Sequence, residues 1–293
     1  MKTNPTPEIL AYYTSQGPMT DPGGYGHLFD DLSVNLGELC SLVQNNLLHV
    51  YWAERYGRSP SEDEKATLNV RPMSQKLARM QASDPRPLNE TRSLEGRQIG
   101  NCRDFTVMLT SILRHLRIPA RARCGFGTYF LPDHFEDHWV CEYWNETQNR
   151  WVLVDAQLDD FQRNELKVTF DPLDVPRDQF VVAGQAWQMC RHREADPQKF
   201  GIFEWHGWWF IWGNVVRELL AYSKVEILPW DVLPGCMTHE MEDPLPEGVE
   251  LALYDGIAAL TLAGDLAYQE LRAVVERDAR FQIPTEIFQS KVG

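Results

Sequence analysis

The sequence predicts an α+β fold, in which one central helix precedes an antiparallel sheet and helical extensions flank both. Three observations predict it. A helical apolar pattern begins at Cys102, three segments of strand character follow it in succession, and the sequence on either side of this block is mainly helical in pattern. Helices and strands that are segregated along the chain in this way are typical of α+β domains.

The central helix is predicted to run from Cys102 to about Leu116. Its apolar residues recur at helical spacing and form one wide face. Pro119 then prevents continuation, because proline lacks the N–H that a helix needs. The first residue is unusual, since a cysteine stands where a capping residue or a first-turn acid is expected. The helix dipole and the free N–H groups favour an ionised thiol at this position.

The predicted sheet contains a hairpin that brings a histidine beside a carboxylate. Its strand-like segments are residues 120–130, 137–144 and 150–156, with 167–175 as one more strand or edge segment. If His138 faces Asp155, the hairpin loop is 145–148, and four residues are an accepted loop length. In that register the two side chains share one face, with Cβ atoms roughly 4.5–5.5 Å apart.

We expect three segments within one compact domain. They are a helical N-terminal extension (1–91), a catalytic core (92–180) and a mainly helical C-terminal extension (181–293). In the first segment we expect an irregular arm over 1–27, a helix over 32–56, a helix capped by Ser59 and a helix over 73–81.

Composition excludes several functional classes. The formal net charge is -14 and no basic run occurs, so a nucleic-acid partner is not expected. The N-terminus lacks a signal-peptide pattern and no apolar run reaches 18 residues, so we expect a cytoplasmic protein without a membrane partner. The cysteines are scattered and are expected as free thiols: Cys40, Cys102, Cys124, Cys141, Cys190 and Cys236.

Cys102, His138 and Asp155 together form the pattern of an activated thiol. A carboxylate beside an imidazole orients the ring and stabilises its protonated form. The imidazole can then take the proton of a nearby thiol, and N–H groups at the helix N-terminus, including that of Cys102, can hold an oxyanion. The three residues are therefore predicted as nucleophile, base and orienting acid.

The motifs around these residues resemble the transglutaminase-like cysteine enzyme superfamily, which has a papain-like Cys-His-Asp core. They are GNCRDFTVMLTSILRHLRIPAR around Cys102, DHWVCEYW around His138 and RWVLVDAQ around Asp155. Their spacings, 36 and 17 residues, suit the compact core of the family. The resemblance covers roughly residues 92 to 160 and is to bacterial members with unassigned substrates. One departure is the Ala-Gln after Asp155, where the family commonly has a proline or a similar turn residue.

The resemblance implies a transglutaminase-like fold and chemistry without a cofactor. The family often supplies an oxyanion-hole side chain from an upstream segment, and here Gln44, Tyr51, Trp52 and Gln98 compete for that role. Aromatic residues commonly wall substrate clefts. The cluster FEWHGWWFIWGN (203–214) therefore suggests Trp205 and Trp208, together with Trp139, as groove residues, although such a cluster is as consistent with a core helix.

The predicted function is acyl transfer from an amide or ester through a thioester acyl-enzyme. The expected substrate is a peptide or a small amide. The expected cytoplasmic location and the lack of a calcium-type acidic loop favour hydrolysis over protein crosslinking. The alternative is a non-catalytic binding or scaffold protein that retains the fold. In either case the helical flanks offer a surface for a homo-oligomer.

A zinc site is the competing interpretation of the cysteines. Cys102, Cys124, His138 and Cys141 are suitable ligand types. However, His138 and Cys141 differ by three positions on one strand and so point to opposite faces. A second group of residues is more typical of a solvated acidic loop: His239, Glu240, Glu242 and Asp243. We predict no metal.

Overall fold

The structure, a computed structural model, describes residues 4–233, 237 and 248–288. The helices are α1 (Pro7–Thr14), α2 (Leu36–Asn46), α3 (Glu62–Lys65), α4 (Met73–Ser83), α5 (Cys102–His115), α6 (Asp160–Leu166), α7 (Ala183–Arg191), α8 (Trp208–Tyr222), α9 (Gly248–Ala263), α10 (Tyr268–Arg277) and α11 (Thr285–Phe288). The strands are β1 (Leu47–His49), β2 (Gln98–Gly100), β3 (Ala120–Gly127), β4 (Phe135–Asn145), β5 (Arg150–Val154), β6 (Phe180–Val182), β7 (Phe200–Ile202) and β8 (Trp205–His206). The predicted α+β class is confirmed.

The main sheet has the strand order β6-β3-β4-β7-β8, and β5 pairs with β4. Antiparallel β3 lies along one side of β4 from Glu136 to Tyr143. The other side of β4 pairs with β7 at 135–136 and with β5 at 141–145. A stretch around Trp139 therefore lies between these two partners. The short parallel pair β1–β2 leads directly into α5.

The central helix α5 begins and ends within one residue of its predicted limits, and its apolar face packs on the sheet. Phe105, Met108, Leu109 and Ile112 are almost fully buried and share a hydrophobic cluster with β4 and β5. At an order-of-magnitude value of 1.5–3 kcal/mol for each fully buried side chain, this face anchors the helix. The helix α5 is thereby fixed against β4 and β5.

The predicted hairpin register is wrong by two residues. The observed pairs include Glu142 with Leu153 and Trp144 with Trp151, and the turn covers 146–149 instead of 145–148. The displaced turn places Asn149 at a φ of 50°, in the left-handed region that asparagine tolerates. A shift by two keeps every side chain on its predicted face, because strand side chains alternate with period two. His138 and Asp155 are consequently diagonal neighbours.

Other predicted elements differ in extent. The arm over 1–27 contains α1 and the start of a 3₁₀ turn at Gly23–Phe29. The helix predicted over 32–56 is α2 followed by β1 and a 3₁₀ turn at Ala53–Tyr56. The cap predicted at Ser59 is at Ser61. Residues 167–175 form no strand, but Asp155 N–H bonds the Pro172 carbonyl and Val175 N–H bonds the Leu153 carbonyl, so the segment lines β5. The C-terminal part, predicted as mainly helical, contains α7 to α11, but the strands β7 and β8 also lie in it, at residues 200–206.

The C-terminal helices contact the central sheet through buried charges as well as apolar side chains. Glu218 of α8 accepts hydrogen bonds from the Cys124 N–H and from the Arg123 guanidinium, both at 2.6 Å. These bonds join α8 to β3. One hydrophobic cluster joins residues of α1, β3, α7, α8 and α9. The division into three segments stays a prediction. No helix within the described residues has the length and apolar character needed to cross a membrane.

Candidate active site

Cys102 lies at the N-terminus of α5, opposite the stretch of β4 between β5 and β7. The backbone N–H groups of Trp139 and Arg103 lower the pKa of its thiol. Cys102 is 7% exposed, and it lines a cleft of about 1170 Å³. The Trp139 N–H belongs to the peptide bond that joins Trp139 to His138, and His138 lines the same cleft.

The cap of α5 corrects the expectation that a cysteine replaces the capping residue. Asn101 is the N-cap, and its side chain accepts a hydrogen bond from the Asp104 N–H. The Asp104 carboxylate in turn accepts a hydrogen bond from the Asn101 N–H at 3.1 Å, which completes a capping box. Asp104 is also paired with the buried Lys76 at 3.0 Å. Cys102 is therefore the first helical residue, with its start fixed from both sides.

His138 and Asp155 are joined by a buried hydrogen bond. His138 Nε2 lies 2.8 Å from Asp155 Oδ2, and the two side chains are 2% and 1% exposed. This contact occupies one ring nitrogen and leaves Nδ1 as the other. Phe130 packs edge-to-face on the imidazole with 4.8 Å between ring centroids. The ring is thereby held between an aromatic wall and a carboxylate.

Asp155 is held by two further donors that sequence reasoning missed. The Tyr129 hydroxyl donates to Oδ2 at 2.7 Å, and the Gln157 N–H donates to Oδ1 at 3.0 Å. Burial would raise the pKa of Asp155, but the adjacent His138 and these hydrogen bonds lower it below its ordinary value. No sequence signal marks Tyr129, because a loop after β3 brings it back to the sheet.

The thiol of Cys102 has the opposite electrostatics from those expected of a helix N-terminus. Burial raises its pKa well above the ordinary value, the charge of Asp137 adds to the rise, and the two N–H donors only partly offset it. Asp137 is 6% exposed and accepts a hydrogen bond from Asn214 at 2.7 Å. Burial raises the pKa of Asp137 as well. The N–H groups at the helix start lower the pKa of the thiol, as the sequence predicts, but desolvation outweighs them.

A family comparison identifies the segment that contains these residues. Residues 52–156 match the family described as "Transglutaminase-like superfamily". This segment belongs to the transglutaminase-like superfamily. It includes α5, β3, β4 and β5, and hence Cys102, His138 and Asp155.

A structural comparison adds one similar protein, from Cytophaga hutchinsonii, whose crystal structure carries the provisional description of a cysteine protease. The two chains are 16% identical with a TM-score of 0.35, and the alignment covers 60% of this chain and 46% of that one. This chain thus spans less than half the length of that protein. No match was found among proteins of curated function. The family assignment therefore rests on residues 52–156.

The cleft that contains Cys102 is lined by aromatic and acidic side chains. Tyr51, Phe203 and Trp205 are between 40% and 52% exposed at the cleft. The Tyr51 and Phe203 rings pack edge-to-face at 4.8 Å. Glu136 also lines the cleft, and burial raises its pKa to about 7.

The candidate oxyanion-hole residues are widely separated. Tyr51 and Trp52 line the cleft. Gln44 donates to the Ala156 carbonyl at 3.2 Å and faces a separate, much smaller cavity. Gln98 is half-buried in β2, its amide has no hydrogen-bond partner among the described residues, and it does not line the cleft. Only the two aromatic candidates therefore line the cleft that contains Cys102.

The candidate groove tryptophans are likewise divided. Trp205 lines the cleft, as do Trp209 and Trp230, which the sequence did not single out. Trp139 is 1% exposed and belongs to the cluster that contains Cys102. Trp208 packs against Trp187 at 5.4 Å. The aromatic segment 203–214 thus serves the core and the cleft together.

Two buried amide groups face the cleft with unused hydrogen-bonding capacity. Among the described residues, Asn101 Nδ2 and Gln157 Oε1 have no partner, although their residues are 3% and 2% exposed and line the cleft. Sequence reasoning missed both, although each adjoins a predicted site residue or lies two positions from one.

The cysteines behave as thiols. Cys40, Cys102, Cys124, Cys141 and Cys190 are free and buried, and Cys236 lies outside the described residues. Cys141 Sγ accepts a hydrogen bond from the Thr110 hydroxyl at 3.4 Å. Over 4–233, 237 and 248–288, no group of three or more His, Cys, Asp or Glu side chains is arranged to hold a metal. The acidic group around His239 falls outside those residues.

Proposed function

We propose that the chain is a cysteine-dependent acyl-transfer enzyme that hydrolyses an amide or ester bond of its substrate. The substrate is a peptide or a small amide. The family match supports a cysteine-dependent enzyme. The observation that carries the finer proposal is that Cys102 and His138 line one cleft, while His138 is hydrogen-bonded to Asp155. This arrangement supports the roles of nucleophile, base and orienting acid for the three residues.

The first step of the proposed reaction is attack by the Cys102 sulfur on the substrate carbonyl carbon. His138 accepts the thiol proton at Nδ1, while Asp155 holds Nε2 and stabilises the imidazolium. The C=O electron pair moves to oxygen and gives a tetrahedral oxyanion. Its collapse breaks the bond to the leaving group, which takes the proton from His138, and a thioester remains on Cys102.

Water then resolves the thioester. His138 removes a proton from the attacking water, the C–S bond breaks, and the thiolate recovers the proton as the acid product leaves. The raised pKa of Cys102 favours a resting thiol that is neutral, so proton transfer accompanies attack. An amine in place of water would give transamidation by the same steps.

The aromatic rim of the cleft favours a substrate with an apolar side chain next to the reacting carbonyl. Tyr51, Phe203 and Trp205 offer partly exposed rings, and clefts that bind organic ligands are commonly walled in this way. A cytoplasmic location is part of this proposal, supported by the free cysteines among the described residues.

The test is turnover of p-nitrophenyl esters and of aryl amides of apolar amino acids. The wild-type chain is expected to release the chromophore catalytically, and Cys102→Ala is expected to lose this activity. Product analysis with and without an added alkylamine separates hydrolysis from transamidation. Release by Cys102→Ala at the wild-type rate contradicts the proposal.

A non-catalytic binding protein is the second candidate, favoured by one observation. The pKa of Cys102 is raised, as expected of a thiol that is merely buried. This candidate predicts ligand binding that Cys102→Ala leaves unchanged, with no ester or amide turnover. His138, which lines the cleft and is hydrogen-bonded to Asp155, favours the enzyme instead.

A further inference from the structure

Asn101 is placed beside the thiol by the start of α5. It immediately precedes Cys102, lines the same cleft and is 3% exposed. Its Oδ1 accepts the Asp104 N–H at 3.1 Å, and its own N–H donates to Asp104 Oδ2 at 3.1 Å. Because Oδ1 is used by the cap, the orientation of the carboxamide is fixed.

The Nδ2 group is a buried donor without an acceptor. None of the described residues accepts a hydrogen bond from it. Buried polar groups are almost always paired, so an exception at the wall of a cleft indicates a ligand atom as the missing partner. The acceptor must lie close to Cys102, since the two residues are adjacent in the chain.

We propose that Asn101 Nδ2, together with the backbone N–H of Cys102, holds the oxyanion of the tetrahedral intermediate. This inference rests on the proposed acyl-transfer function. The Cys102 N–H is at the first helical position, where it has no acceptor within the helix. When the sulfur–carbon bond forms, the carbonyl electron pair moves to oxygen, and the two N–H donors stabilise that charge until the leaving group departs.

Asn101 suits this role better than Tyr51, Gln44 or Gln98. Tyr51 is 51% exposed, so its hydroxyl is accessible to water, and Gln44 and Gln98 do not line the cleft. The Asn101 carboxamide is instead fixed before substrate arrives by the bonds of the capping box. A donor fixed in advance stabilises developing charge without reorganisation.

The test compares two reactions of the same thiol. Acylation by p-nitrophenyl acetate forms an oxyanion, whereas alkylation by iodoacetamide displaces iodide without one. Asn101→Ser keeps an oxygen that caps the helix and removes the amide donor. We expect acylation of Cys102 to fall about 100- to 1000-fold, the usual effect of removing one oxyanion donor. Alkylation of Cys102, followed by peptide mass mapping, should stay within about twofold of wild type, since the thiol is unchanged.

A matched control exists at the start of α2. Asn35 is an exposed N-cap whose Oδ1 accepts the Glu38 N–H at 3.2 Å. Asn35→Ser changes a cap in the same way and should leave both reactions unchanged. Asn101→Asp is the second variant at the site. It also caps the helix, and it should lose acylation as well, because a carboxylate cannot donate.

The outcomes separate the assignment from the proposed function. Loss of acylation with retained alkylation supports the role of Asn101. Equal loss of both reactions in Asn101→Ser overturns it, and so does wild-type acylation by either variant at Asn101. A loss of acylation in Tyr51→Phe that Asn101→Ser does not show also overturns it. If wild-type Cys102 is alkylated but never acylated, the acyl-transfer function itself is contradicted.

Discussion

His138 Nε2 lies 2.8 Å from Asp155 Oδ2, although the two residues are diagonal rather than directly opposed across β4 and β5. Asp155 follows the last residue of β5, and its N–H bonds the carbonyl of Pro172. The carboxylate is therefore fixed by the segment that lines β5 as well as by its own strand. This arrangement leaves one imidazole nitrogen for the thiol and gives the other a permanent acceptor.

Asp155→Asn tests the orienting role. The side-chain amide of asparagine carries no negative charge, so it cannot stabilise an imidazolium as a carboxylate does. The ring then loses its preferred tautomer. We expect ester turnover to fall about 1000- to 10,000-fold, as for comparable substitutions in triads. Steady-state kinetics provide the measurement. Asp174→Asn, at an exposed carboxylate paired with Arg150, is the control and should not change turnover. A loss below tenfold in Asp155→Asn would contradict the role.

Tyr129→Phe tests whether Tyr129 positions Asp155. Loss of its hydroxyl removes a donor to Oδ2, which raises the pKa of Asp155 and frees the carboxylate. Hydrogen bonds to charged groups contribute roughly 1.5–3 kcal/mol, so we expect kcat to fall about tenfold or more, with the acid limb of its pH profile moved upward.

Tyr56→Phe provides the matched comparison. Tyr56 donates to Asp159 Oδ2 at 2.6 Å, and it does not line the cleft of Cys102. This variant should change the free energy of unfolding while kcat stays at the wild-type value. The same kcat loss in both variants would show that Tyr129 acts only through stability.

Asp137→Asn tests the electrostatics of the thiol. The charge of Asp137 helps to raise the pKa of Cys102, so its removal should lower that pKa and increase the thiolate fraction at neutral pH. While that fraction is small, each pKa unit gives about a tenfold faster reaction with iodoacetamide. The measurement is the alkylation rate of Cys102 against pH. Asp133→Asn, at a rim carboxylate paired with Lys199, should have little effect. An unchanged or slower rate in Asp137→Asn would contradict this account.

His49→Asn tests a pH dependence of stability. Burial, with a smaller effect from the charge of His138, lowers the pKa of His49 to about 3. Below its unfolded pKa of 6.5, the unfolded chain therefore binds a proton that the folded chain does not, so stability is present above pH 6.5 and is lost as the pH falls.

Between pH 7 and pH 5 this histidine accounts for at most about 2 kcal/mol of lost stability. Urea denaturation at the two pH values should show a smaller loss in His49→Asn, whose side-chain oxygen can replace Nδ1 as acceptor of the Tyr51 N–H. Equal losses in wild type and variant would contradict the buried neutral state of His49.

Sequence reasoning succeeded where the determining interactions are local. The limits of α5 follow from its apolar spacing and from Pro119, and the strand faces follow from period two. The predicted hairpin register is wrong because the alternation of side chains does not distinguish registers that differ by two residues. That error left His138 and Asp155 on the same face of the sheet. Tyr129 and Asn214 were not predicted, since tertiary folding brings them to the site from separate elements. Asp137 adjoins His138 on β4, but its effect on Cys102 arises only when α5 packs on that strand. The raised pKa of the Cys102 thiol was not predicted, because burial of that residue depends on the whole fold.

Intact-mass analysis of the chain after acid quenching of its reaction with p-nitrophenyl acetate tests the central claim most directly. The account predicts one acetyl group on the wild-type chain, located by peptide mapping at Cys102, absent from Cys102→Ala and formed far more slowly in His138→Ala. A wild-type chain without that adduct, or an equal adduct in Cys102→Ala, would contradict it.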